Sequence, residues 1–280
     1  MRGVDISHYQ EGLTIQQLKN SGIDFAIIKL TEGTTYVDPS AFEFYKEAYT
    51  TGFPVGCYCY SHALNAQQAM AEAAFLMDTI RGFPMPCGIY IDIERDDQFA
   101  LSENELRNVI LGWCAGIGGR GYIPGVYGSE GTLWAKVNAN SLPVGTLVWV
   151  ARWSSNAPNT PCDLWQTSDK GHIDGYGGPV DTDEVRSDYL KHLIENGYPK
   201  RVDEAAEQAV AAVIMGNSGN HPGDATEMAS DACPIGKPDA VVMALQMIMV
   251  YAGYWSTPTG VKSPEFFAAA RQMLTDLSKG

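Results

Sequence analysis

Short apolar runs alternate with amphipathic stretches over the first two thirds of the chain. The runs span residues 3–6, 25–30, 55–60, 88–93, 125–127, 147–151, 164–166 and 180–182, each strand-sized and rich in β-branched or aromatic side chains. Between them the strongest helical pattern is residues 103–118. There Leu106, Val109, Ile110, Trp113, Cys114 and Ile117 recur at helical spacing, and Ser102 with Glu105 forms a capping box. Strands alternating with helices predict a parallel sheet. Eight strands in fewer than 200 residues predict an α/β fold: an irregular eight-stranded β/α barrel, TIM-like, whose last strands have lost most of their helices.

The pattern changes near residue 197. The segment Asn196-Gly-Tyr-Pro-Lys-Arg carries helix-stop and turn residues, which places a barrel at 1–197, a linker at 198–202 and a small all-α domain at 203–280. In that tail, Ser263 before Pro264 reads as a helix start, and the apolar run 241–251 reads as the central helix of a bundle.

Charge narrows the choice of partners. With 33 acidic against 19 basic residues, the net charge of −14 is spread along the chain and repels polyanions, so nucleic acid is not an expected partner. Any anionic partner would have to be held by specific contacts. No stretch approaches the roughly 20 apolar residues of a membrane span, and no export signal precedes the first strand. The expectation is a protein made in the cytoplasm without an export signal, which reaches any target outside the cell only after release. The six cysteines form no C-x-x-C pair and the five histidines no ligand spacing, so neither a metal nor a cofactor is expected.

The segment Gly88-Ile-Tyr-Ile-Asp-Ile-Glu is an apolar strand that turns acidic at its C-terminal end. A period of two puts Asp92 and Glu94 on one face, at the end of a barrel strand where active sites are built. Partial burial and a neighbouring negative charge would raise the affinity of Glu94 for its proton, as a glycosidic leaving group requires of its donor. Asp5, Glu32 and Asp181 sit at the ends of three other strands, so four strand ends supply acids to one rim. Singly, each is equally well read as a solvated strand end or turn residue.

Eight segments in order resemble glycoside hydrolase family 25, the Chalaropsis-type lysozymes that include many phage endolysins. They are Gly3-Val-Asp-Ile-Ser, Phe25-Ala-Ile-Ile-Lys-Leu-Thr-Glu-Gly, Tyr36-Val-Asp-Pro, Gly56-Cys-Tyr-Cys-Tyr, Tyr90-Ile-Asp-Ile-Glu, Gly125-Val-Tyr, Leu147-Val-Trp-Val-Ala and Val180-Asp. The resemblance implies a muramidase that cuts the β-1,4 bond after N-acetylmuramic acid in peptidoglycan. It implies Glu94 as general acid, Asp92 as its partner carboxylate, and Asp5 and Asp181 as flanking acids. Tyr58, Tyr60, Tyr127, Trp149 and Trp153 are candidate sugar-stacking rim residues or core, and Lys29 and Glu32 are candidate sugar-binding polar groups. Tyr58-Cys59-Tyr60 with His62 departs from the family's Tyr-His-Phe, which bears on subsite preference.

A carboxylate nucleophile and substrate assistance by the 2-acetamido group both stay open, although the spacing of Asp92 suits the orienting role better. A chitinase-like glycosidase and a non-catalytic wall-binding barrel are the rival functions. The tail reads either as a wall-binding module or as a bundle that packs on the barrel or mediates homo-oligomerisation through Met243, Met247 and Met249.

Overall fold

The computed structural model describes residues 1–80 and 83–196. The predicted linker at 198–202 and helical region 203–280, with its wall-binding or oligomerisation role, lie outside the described residues. In chain order the elements are β1 (Arg2–Ile6), α1 (Ile15–Asn20), β2 (Phe25–Glu32), β3 (Tyr36–Val37), α2 (Ala41–Thr51), β4 (Val55–Tyr60), α3 (Ala66–Ile80) and β5 (Ile89–Asp92). There follow α4 (Asp96–Phe99), α5 (Glu103–Gly118), β6 (Pro124–Ser129), α6 (Leu133–Lys136), β7 (Leu147–Ala151), β8 (Leu164–Gly171), β9 (Val180–Val185) and α7 (Asp188–Asn196).

All eight predicted strands form, and they close into a ring because β1 pairs with both β2 and β9. The short β3 pairs antiparallel with the end of β2 outside that ring. Neighbours from β1 through β2 and β4 to β8 run parallel.

The expectation of a parallel sheet fails at β9, which lies antiparallel to both β8 and β1. The cause is chain length. Since β8 extends to Gly171, the connection to β9 is only residues 172–179, and a parallel crossover needs about a dozen or more residues. The helices also thin out as predicted: α6 has one turn, and no helix lies between β7 and β8 or between β8 and β9.

Helix α5 forms where its pattern indicates. Ser102 and Glu105 cap it reciprocally, and Leu106, Val109, Ile110 and Trp113 are buried against the outward face of the sheet, including Ile89, Ile91 and Ile93. The barrel interior is a separate cluster of Phe25, Ile27, Tyr90, Tyr127, Trp149 and Leu164, joined by Leu190, Leu193 and Ile194 of α7.

Rings this large fit because small residues face them. A Cβ on Gly125 would stand 2.2 Å from Tyr90 Cδ1, and one on Gly3 2.2 Å from Phe25 Cζ. Gly125→Ala is therefore expected to cost about 1–3 kcal/mol by overpacking, read as a Tm lowered by roughly 2–12 °C. An unchanged Tm would mean that Tyr90 is free to move aside.

Candidate active site

The inward-facing positions of the strands carry apolar rings in the middle of the barrel and acids at one end. Asp5 of β1 and Asp181 of β9 are register partners across the closing seam. Asp92 ends β5 in register with Tyr60 of β4 and Tyr127 of β6. Glu94 follows two residues later, just past the strand. Its backbone is held on both sides: Ile93 N–H donates to Tyr127 O at 3.2 Å, and Arg95 N–H to Gln98 Oε1 at 3.1 Å. The buried Gln98 amide in turn donates to Ser61 O and Ala63 O, each at 3.2 Å, so the loop after β5 is tied to the loop after β4.

Four aspartates and a glutamate cluster here, and all hold their protons more tightly than usual. Burial is the main cause for Asp5, followed by repulsion from Asp183, Asp181 and Asp92. Asp92 is raised by burial and then by Glu94, with Lys29 opposing. Asp181 is pushed up to about 6 by desolvation, then by Asp169 and Glu94. Asp183 is raised by burial, although the Trp149 indole N–H donates to its Oδ1 at 2.8 Å.

Glu94 is raised by desolvation; a proton donated by the Tyr127 hydroxyl would act the other way, but that hydroxyl gives its one proton to Gln166 Oε1 at 3.0 Å. The Glu94 side chain is nevertheless open to solvent. The two observations fit a carboxyl at a mouth, where water reaches it on one side and protein crowds it on the others. Two carboxyls this close titrate as a pair, and repulsion keeps a proton on one of them at pH values where an isolated acid is ionised.

The predicted aromatics divide. Trp149 is only 1% exposed, and its ring meets Tyr127 at 4.4 Å and Tyr90 at 5.1 Å between centroids. Tyr127 is buried as well. Of the two alternatives, rim or core, these two fall in the core, because the inward positions of β6 and β7 point into the barrel, although Tyr127 stands in register with Asp92 beside the acids. Tyr58 and Tyr60 are half-buried, and Trp153, beyond the end of β7, is 60% exposed. Those three keep part of their surface open to solvent.

Lys29 is buried and paired, as an amino group in an apolar strand must be. It donates to Glu32 Oε2 at 2.8 Å and lies 5.1 Å from the Tyr60 ring centre. His62 meets the other Glu32 oxygen at 3.2 Å. Desolvation is the largest single influence on Glu32 and raises its pKa, but the Lys29 and His62 contacts together outweigh it and lower it.

Two participants were not singled out from sequence. Asp183 is the i+2 neighbour of Asp181, so the same period-two argument that paired Asp92 with Glu94 would have found it. Gln166 is 2% exposed. It donates through Nε2 to Asp5 Oδ2 at 2.8 Å and accepts through Oε1 from Tyr127 Oη and Trp153 Nε1, both at 3.0 Å. Nothing in an apolar-run pattern marks it. Asp38, quoted within Tyr36-Val-Asp-Pro, is fully buried and accepts from His8 N and Nδ1 and from Ser40 N, a structural tie between the loops after β1 and β3.

Comparison with known proteins bears on what these acids do. The model of glycosyl hydrolases family 25 matches residues 4–176. An autolytic lysozyme of Clostridium acetobutylicum is 30% identical over 197 residues; the alignment covers 68% of this chain and 57% of that protein, so this chain spans little over half of that relative's length. The crystal structure of a Streptomyces coelicolor lysozyme superposes with a TM-score of 0.61 at 26% identity, covering 71% of this chain and 98% of that one. The catalytic domain of the endolysin ply40 from bacteriophage P40 of Listeria monocytogenes gives 0.59 at 27% identity, covering 69% and 97%. With most of the barrel matched by the family model and its rim acids gathered at one end, the chain belongs to glycosyl hydrolases family 25.

Proposed function

We propose that the chain is an endo-acting muramidase that hydrolyses the β-1,4 bond following N-acetylmuramic acid in peptidoglycan, in the service of host lysis. The observation that carries this reading is the convergence of Asp5, Asp92, Glu94 and Asp181, from three strands and the loop after β5, with the proton of the Asp92–Glu94 pair retained. Likeness to lysozymes and to an endolysin catalytic domain supports the substrate and the setting.

Glu94, the solvent-facing member of the pair, is the proton donor to the glycosidic oxygen. Asp92 lies deeper, and its Oδ1 is buried without a hydrogen-bond partner. It is an acceptor ready for the N–H of a 2-acetamido group, whose carbonyl oxygen then attacks the anomeric carbon as the leaving oxygen takes the proton. An N–H donated to Asp92 favours its ionised form and drives the proton of the pair onto Glu94, so substrate binding charges the donor. Water completes the cycle: it opens the cyclic intermediate at the anomeric carbon and returns its proton to Glu94.

Mass spectrometry of fragments released from purified walls tests this reading. N-acetylmuramic acid at the new reducing end supports it. N-acetylglucosamine at that position, or cleavage of chitin in preference to walls, would turn the assignment to the chitinase-like alternative, and no release to a wall-binding barrel.

A further inference from the structure

Gln166 touches both sides of the acid cluster and neither reacting group of the mechanism above. Its orientation is fixed without assumption, because the Trp153 indole can only donate: the atom facing it at 3.0 Å must be the carbonyl Oε1. That leaves Nε2 toward Asp5 Oδ2 at 2.8 Å, and it leaves Oε1 to receive the Tyr127 hydroxyl at 3.0 Å.

A phenol has one proton. While Tyr127 gives it to Gln166, the hydroxyl presents lone pairs to Glu94, which suits a protonated carboxyl that donates to it. Released from Gln166, the same hydroxyl would donate to Glu94 and favour its carboxylate, the direction opposite to what a general acid needs. The phenol keeps its own proton throughout, since burial and the surrounding acids raise its pKa well above the usual range.

Resting on the muramidase reading, we propose that Gln166 is a positioning residue, locked by the rim indole of Trp153, that keeps the Tyr127 proton directed away from Glu94 while donating to Asp5. Trp153 is 60% exposed, so the residue that locks the amide is also one that a sugar can cover. Glu94 is faced by Asp92 of β5, Tyr127 of β6, Tyr60 of β4 and Asp181 of β9. Asp5 is faced by Asp181 and Asp183 of β9, Asp92 of β5, Tyr58 of β4, Tyr127 of β6 and Gln166 of β8. Among these, Gln166 is the uncharged group that touches Asp5 and Tyr127 together.

The test is the shape of the pH profile of kcat/KM on purified walls for wild type, Gln166→Leu, Trp153→Phe and the double variant, with Tm measured alongside. Gln166→Leu is expected to narrow the profile from its alkaline side. Freed to donate, Tyr127 weakens the hold of Glu94 on its proton and moves the alkaline limb down. On the alkaline limb, the rate relative to each enzyme's own maximum should fall to about a tenth of the wild-type value at the same pH, the scale of one charge-assisted hydrogen bond.

Trp153→Phe keeps an aromatic face but lets the amide turn over, so it should narrow the profile in the same sense and less. The double variant should match Gln166→Leu alone, because both changes act through one amide. Variants whose profiles keep the wild-type shape and merely scale down, or effects that multiply in the double variant, would overturn the inference. If Gln166→Leu does not fold, Trp153→Phe at its exposed site decides the matter by itself. A wild-type protein that releases nothing from walls would instead overturn the muramidase reading.

Discussion

Glu94→Gln is expected to lower kcat on purified walls by about a hundredfold to ten-thousandfold, the range that a positioned general acid contributes. The amide is nearly isosteric and keeps a contact with the Tyr127 hydroxyl, but it has no proton to give at neutral pH. Fold and wall affinity should persist, because Glu94 stands at the mouth and braces no element; the loop that carries it is held through Ile93, Arg95 and Gln98. The measurements are kcat by release of reducing ends, Tm by circular dichroism, and binding to sedimented walls. A variant with more than about a tenth of wild-type kcat would move the donor role elsewhere, Asp181 being the next carboxyl with a proton affinity suited to neutral pH.

The second large effect falls on stability and has the opposite sign. Asp183 is 3% exposed, its Oδ2 has no hydrogen-bond partner, and Asp5 and Asp181 crowd it. Asp183→Asn is expected to raise Tm by roughly 2–12 °C at pH 7–8, the scale of removing about 1–3 kcal/mol spent on keeping a buried acid protonated where the unfolded chain ionises. The pH dependence follows from linkage. An acid whose folded pKa lies above its unfolded value is protonated in both states at low pH, so it contributes no difference there. Above about pH 4 the unfolded chain ionises while the fold retains the proton, and wild type loses stability progressively until the folded pKa is passed. For Asp181 that loss runs from about pH 4 to about 6. For Asp183, whose pKa burial raises well above the usual carboxylate range, the loss likewise begins as pH rises past about 4. The advantage of Asp183→Asn should therefore be small at pH 4 and grow with pH. A gain that is constant with pH, or a loss of stability at pH 8, would show that Asp183 is favourably ionised in the fold.

Strand positions were legible because each is an apolar run of strand length, and the register of Asp92 and Glu94 because strand faces repeat every two residues. The direction of β9 was not. Residues 167–170, Thr-Ser-Asp-Lys, are polar and end the apolar run at Gln166, so the strand that carries on through them escaped notice and the connection looked long enough for a crossover. Depth along the barrel axis was equally hidden. Trp149 and Trp153 read alike in sequence, yet one lies in the core and the other on the rim, since the difference is set by where β7 ends. Gln166 owes its importance to three contacts from β1, β6 and the loop after β7, which no local pattern can report.

The seam between β1 and β9 brings together the ends of the barrel sequence. Asp5 and Asp181, 176 positions apart in the chain, become neighbours only when that seam zips. A pairing of such separation carries a loop-closure cost that nearer pairings are spared, and is expected to form after them. The mutual repulsion of the carboxyls is thus deferred until the rest of the cylinder is in place to bear it. An intermediate that lacks the seam would be spared that repulsion and inert for the same reason, so gain of catalysis should coincide with completion of the ring and not with growth of helical signal.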